Sequence, residues 1–343
     1  MEVGGQTVPA DYGRPSRAHL AVRNGVGVTE RPADVVIITG DDRVAFVDNA
    51  VSNRVEESPG TGRLALLLTP KGRIRTEMYV YTAKDRLLLV LPPGTASTLL
   101  EDWREKVFIQ DVHFENATGD YTILGVHGPR ATEKLASVVP NVAVPEGSFR
   151  FVQATIADAG VSLIPTDAPC GEESYEVVCA AYDADVVMDA LVNRGYNAVP
   201  FGHTSWETLT LEAGTPLFAD VEDRIPNVVG LRNALDFEKG CYVGQEVVAR
   251  LENLGQSNDR VVGLELDSVP HRGAVVRADD SSVGEMLRAA KTPSVDGPVA
   301  LALVSTDAPE KLVVGDGIEA TRRSLPFVEG SARSLRLPEY PSP

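Results

Sequence analysis

Residues 239–250 read Lys-Gly-Cys-Tyr-Val-Gly-Gln-Glu-Val-Val-Ala-Arg, KGCYVGQEVVAR. Cys241 sits two residues after Lys239, between Gly240 and Tyr242, and Gly244 leads into Gln245 and Glu246. The apolar positions that follow predict a helix over 245–251. A thiol beside a lysine and close to a helix start has the surroundings in which cysteines become reactive. Gly240 and Gly244 permit unusual backbone angles or close approach of another group, and Gln245 and Glu246 add an amide and a carboxylate. The same residues also fit a small buried thiol held in a glycine turn.

Working outward, the chain has 343 residues, of which 43% are hydrophobic. That is too long for one ordinary core and too apolar for disorder. No apolar run reaches the roughly 18–20 residues of a membrane span. The first twenty residues contain no secretory apolar core, so a cytoplasmic protein is expected. The three cysteines, Cys170, Cys179 and Cys241, form no CxxC pair, and the five histidines show no HxH or HExxH spacing. Neither a disulfide framework nor a dedicated metal site is expected.

The net charge is −17. Direct nucleic-acid binding is not expected, because phosphates need lysine and arginine. Of 32 basic residues only seven are lysine, leaving 32 − 7 = 25 arginines. Acid excess with scarce lysine suits a high-salt cytoplasm, where solvated carboxylates keep the surface hydrated and self-repulsion loosens the fold at low salt.

Residues 34–47 predict a strand, a Gly-Asp-Asp turn, and a helix or second strand. Apolar runs at 64–68, 78–82 and 87–91 predict a meander, and a helix is expected over 96–107. "YTILGVHGPRATEKLASVV" reads as a strand, a corner and a helix. "SYEVVCAAY" reads as a strand, and "DADVVMDALVNRG" as a helix with Gly195 at its end. Strands come in runs without strict helix alternation, which indicates α+β. From residue 259 short apolar runs separated by Gly, Pro and Asp indicate a β-barrel or sandwich.

Two further segments carry candidate chemistry. In "GEESYEVV", 171–178, a strand places Glu176 on the face opposite Tyr175 and Val177, where a carboxylate can accept N–H bonds from a flat heterocycle. A solvated acidic loop is the plainer alternative. "TPKGRIRTE", 69–77, gathers Lys71, Arg73 and Arg75, fit for an anionic group or simply for solvent.

Taken together these segments resemble one family. KGCYVGQEVVAR is the most specific. "LTLEAGTPLFADVEDRIPN", "GEESYEV" (against GEDGFEV of the glycine-cleavage T-protein), "GTGRLALLLTPKGRIRTEMYVY", "ILGVHGPRA" and "VGEMLRAAKTPSVDGPVALALV" extend the likeness over about residues 20–340. The chain resembles the folate-binding aminomethyltransferase-like superfamily, and its lysine-glycine-cysteine stretch resembles the YgfZ branch. The resemblance implies a three-domain cloverleaf around a folate cavity: 19–160, an α+β folate-binding domain; 161–258, a second α+β domain carrying the signature; and 259–338, a C-terminal β-barrel. It implies tetrahydrofolate or a related folate as cofactor. Tyr175 and Glu176 would hold the pterin, Glu212 would support the cavity wall, and Tyr242 and Gly244 would lie at the folate site. Lys239, Cys241, Gln245 and Glu246 would form the functional loop.

The expected function is that of the YgfZ branch, a folate-binding accessory factor in assembly or repair of iron–sulfur proteins. Its partners would be iron–sulfur client or assembly proteins, and the chain would be a monomer. The alternatives are a tetrahydrofolate-dependent aminomethyl- or methyltransferase and a scaffold that has lost folate. Against transfer, the family's catalytic aspartate falls near Thr98, with Leu91 in place of the preceding asparagine and Asp102 one helical turn on. Two family arginines correspond to Trp206 and Thr210.

Overall fold

The computed structural model describes residues 1–139, 142–255 and 257–340. Besides a small hairpin that pairs Glu2–Val3 with Gln6–Thr7, its strands form two larger open sheets and a barrel. The five-stranded sheet runs in the order Thr61–Leu68, Ile74–Thr82, Leu87–Leu91, Asp34–Thr39, His113–Asn116. The six-stranded sheet runs Val152–Ile156, Ala159–Pro165, Ser174–Ala180, Tyr121–His127, Gly27–Glu30, Val199–Pro200. Only its last pair is parallel. The barrel closes six antiparallel strands between Asp259–Leu266 and Ile318–Arg323. The α+β class and the C-terminal barrel agree with the reading of the sequence.

Strand pairing runs across the expected boundaries. Strand Gly27–Glu30 pairs with Tyr121–His127, in register Gly27 to His127. The whole five-stranded sheet is therefore an insertion between two neighbouring strands of the other sheet. The boundary expected at 160 falls in the hairpin that pairs Ile156 with Ala159. The expected barrel domain 259–338 also ends early. Beyond Arg323 the chain leaves the barrel and returns to the other units, where Leu335 N–H donates to Asp167 O at 2.8 Å. Pairings across such separations leave no local mark in composition, so linear reading divides the chain into consecutive blocks.

The apolar run LALLL is continuous because its strand is buried on both faces. Leu64, Leu66 and Leu68 face a core shared by both sheets and the outside of the barrel, with Ile164, Val178, Val261 and Leu301. Ala65 and Leu67 face a second core with Leu99, Leu100 and Trp103. Those three residues and Ala96 are the buried stripe of helix Ala96–Arg104. Their i, i+3, i+4, i+7 spacing is that of one helix face. Each fully buried leucine contributes about 2 kcal/mol, so the shared core fixes the three units around their junction.

Candidate functional site

A cavity of about 340 Å³ lies at that junction, with Arg31, Glu77, Tyr79, Asp167, Glu176, Arg288 and Arg336 among its lining residues. Alternation along strand Ser174–Ala180 decides which side chains reach it. Tyr175, Val177 and Cys179 enter one core, while Val178 enters the shared core and Glu176 lines the cavity. Glu176 is paired in register with Gly125, and a Cβ at Gly125 would lie 2.3 Å from His127 Nε2. Glycine there leaves room for the imidazole beside the carboxylate.

Arg31 follows strand Gly27–Glu30, and its Nε lies 2.6 Å from Glu176 Oε1. Burial raises the Glu176 carboxyl above its ordinary range, an effect that the Arg31 charge opposes. Oε2 of Glu176 and Nη2 of Arg31 are both buried without a hydrogen-bond partner among the described residues. On the next wall, Arg336 donates to both carboxylate oxygens of Glu77, at 3.0 and 2.6 Å. Tyr79 Oη donates to Asp167 Oδ2 at 2.6 Å. Burial, and then the Asp167 charge, raise that phenol well above its usual value. Glu77 and Tyr79 share a face of one strand because they are two residues apart.

The barrel supplies a third arginine. Arg288 donates to Thr210 Oγ1 and to Thr215 O, each at 2.8 Å, and lies 3.3 Å from Asp220. Burial lowers its pKa. A guanidinium thus reaches the region of Trp206 and Thr210 from another strand. Trp206 itself lines the cavity and packs edge-on to His127, ring centroids 5.3 Å apart.

The other sequence-derived candidates lie elsewhere. Tyr175 faces away, its hydroxyl 2.7 Å from Thr132 Oγ1. Glu212 is buried behind the cavity, accepting from His19 Nε2 at 3.0 Å and from Arg23 at 2.8 Å. Burial would raise its carboxyl, but the His19 hydrogen bond and the His19 and Arg23 charges bring it to about 2. It ties helices Pro15–Asn24 and His203–Glu212 to Ser294, whose N–H donates to its Oε1 at 3.2 Å.

The loop 239–246 does not reach the cavity. Lys239 Nζ is turned inward, donating to Val51 O and Asn53 O at 3.0 Å and approaching Asp48 Oδ1 at 3.2 Å. It closes the carboxyl end of helix Arg43–Ala50, where free carbonyls favour a cation. Tyr242 is buried in the shared core, and burial pushes its phenol up to about 12. Gly244 has φ +83° and caps helix Gln245–Leu254. A Cβ there would meet Thr69 O at 2.5 Å, so the loop is fitted against the turn at 69–72. Cys241 is exposed, Gln245 is half-buried and Glu246 is exposed. In the basic turn, Arg73 and Arg75 pair with Asp223 and Asp102 within the chain. Asp102, also 2.7 Å from Lys106, is not among the residues that line the cavity.

Sequence reading missed Arg31, Glu77, Tyr79, Asp167, Arg288 and Arg336. The available signal was local: Glu77 is followed by the run MYVY in its strand, and Arg288 stands between Leu287 and Ala289 in its own.

Two sheets and a barrel thus meet around a cavity lined by buried arginine–carboxylate pairs. Residues 1–239 match the GCVT N-terminal domain family, and the chain belongs to that family. It is 25% identical to an aminomethyltransferase of Bacillus subtilis, covering 99% of this chain and 94% of that protein. It is 29% identical to one of Deinococcus deserti, covering 94% and 91%. The fold matches the glycine cleavage system aminomethyltransferase T of Bartonella henselae with a TM-score of 0.85 at 21% identity, covering 97% and 95%. These relatives overturn the expected iron–sulfur accessory role, since the proteins similar over the full length are aminomethyltransferases. In the loop that suggested that role, Lys239, Tyr242 and Gly244 are engaged in packing, while Cys241 and Glu246 are exposed. No helix among the described residues is long and apolar enough to cross a membrane.

Proposed function

We propose that this chain is a tetrahydrofolate-dependent aminomethyltransferase whose folate site is the junction cavity. The observation that carries the reading is Glu176, a buried cavity carboxylate whose Oε2 has no partner among the described residues. A carboxylate so placed matches the N–H donors of a 2-amino-4-oxo pterin. The full-length likeness to aminomethyltransferases supports the same reading.

In such a transfer a donor X–CH2–NH2, small or carrier-bound, meets tetrahydrofolate. The C–X and C–NH2 bonds break, and bonds from N5 and N10 to that carbon form. The two folate N–H protons leave in H–X and ammonia, so 5,10-methylenetetrahydrofolate is the product. Positive charge develops at the migrating carbon, and a fixed carboxylate beside it lowers the barrier.

Asp167 is the residue we assign to that task. It lines the cavity and is 1% exposed. Its Oδ2 is held by Tyr79, while Oδ1 makes no hydrogen bond among the described residues. Glu77 and Glu176, by contrast, are each paired with arginine. The test is turnover of tetrahydrofolate with an aminomethyl donor, following methylenetetrahydrofolate and ammonia in equal amounts. Asp167→Asn should bind tetrahydrofolate as the wild type does and lose about 100-fold in turnover. Full activity in that variant would remove Asp167 from the reaction.

A further inference from the structure

Two neighbouring side chains of the cavity carry buried polar atoms of opposite kind without partners among the described residues. Glu176 Oε2 is an acceptor and Arg31 Nη2 a donor, and neither has a partner among the described residues. They belong to an ion pair whose Arg31 Nε and Glu176 Oε1 lie 2.6 Å apart, and Arg31 Nε too makes no hydrogen bond of good geometry among the described residues, so both guanidinium N–H groups and the free carboxylate oxygen belong to neighbouring side chains on one wall. Both residues line the cavity. Arg31 is also fixed from a second side, its guanidinium 5.7 Å from the Tyr79 ring centroid. Buried donors and acceptors left unpaired are costly, and native structures keep few of them. A fixed acceptor–donor pair in a cavity therefore selects a ligand edge with a donor and an acceptor side by side.

We propose that Arg31 is a specificity-determining residue that reads the 4-oxo group of the pterin, while Glu176 accepts the adjacent N3–H. The inference rests on the folate reading of this cavity. A 2-amino-4-oxo ring presents N3–H beside C4=O, a donor next to an acceptor. A 4-amino ring presents an unprotonated N3 beside an N–H donor, so both positions are reversed. Glu176 would then face a lone pair, and Arg31 another donor. A site built to hydrogen-bond one arrangement rejects the other because its own buried groups are left unpaired.

The test is equilibrium binding of tetrahydrofolate and of its 4-amino-4-deoxy analogue, at neutral pH and in molar KCl. The wild type should prefer the 4-oxo compound by about tenfold or more. Arg31→Met, with folding checked by its melting curve, should reduce that preference at least about threefold, the remainder being the share of Glu176. Equal wild-type affinities would overturn this inference and leave the folate reading standing. Binding of neither compound would overturn both. An undiminished preference in folded Arg31→Met would show that Arg31 does not read the 4-position. If Arg31→Met does not fold, Arg31→Lys, which keeps the charge opposite Glu176 but loses the planar fork, is measured in its place against the same criterion.

Discussion

Tyr175 and Glu176 are adjacent in sequence and opposite in space: the tyrosine hydroxyl meets Thr132 at 2.7 Å, behind the sheet, while the glutamate lines the cavity. The resemblance assigned both to the pterin, and strand alternation separates them. Tyr175→Phe should therefore leave tetrahydrofolate affinity unchanged. It should lower stability by about 1 kcal/mol through the lost hydrogen bond. Chemical denaturation and ligand titration of one sample check both statements, and a tenfold loss of affinity would contradict the placement.

The signature loop should behave as packing rather than chemistry. Lys239→Met leaves the carbonyls of Val51 and Asn53 without their donor and should cost about 2–3 kcal/mol. Cys241→Ser, at an exposed position, should leave both the melting temperature and the turnover of the wild type. An active-site role for the thiol would instead appear as lost turnover in a stable protein.

Acid should destabilise the protein in two stages. Burial, and then the Arg31 charge, lower the His127 pKa from 6.5 to about 3. The folded state therefore resists protonation, and stability present above pH 6.5 falls as pH drops towards 3, by about 1.4 kcal/mol per pH unit. The Glu212 carboxyl is depressed from 4.5 to about 2 despite its burial, by the His19 hydrogen bond and the neighbouring charges. Its contribution is present above 4.5 and is lost between 4.5 and 2. His127→Gln should flatten the first stage and Glu212→Gln the second, read from denaturant midpoints against pH. Unchanged pH profiles in both variants would contradict the assignment.

With a net charge of −17, the chain should melt at higher temperature as KCl is raised, because screening relieves self-repulsion. A melting temperature independent of KCl would contradict this.

Much of the fold was legible because its signals are local. The meander at 61–91, the amphipathic helix Ala96–Arg104 and the short barrel strands follow from periodicity and turn residues. Glu176 was found because strand alternation is local too. The insertion of one sheet into the other was hidden, since the pairing of Gly27 with His127 has no mark in nearby sequence. The same cause hid most of the cavity. Arg31, Asp167 and Arg336 sit in three distant segments, and only tertiary contact brings them to one volume. The signature loop misled for a different reason. Glycine, lysine and cysteine in one stretch suggest reactivity, yet here Gly244 permits a close backbone approach and Lys239 closes a helix end.

The measurement that tests the account most directly is equilibrium binding of tetrahydrofolate to the wild type and to Glu176→Gln. Gln keeps the side-chain volume and one acceptor but removes the charge that the pterin N–H groups meet. The account predicts saturable, one-to-one binding by the wild type and a loss of about tenfold or more in the variant, with folding intact. Equal affinities in the two proteins, or no saturable binding by the wild type, would contradict it.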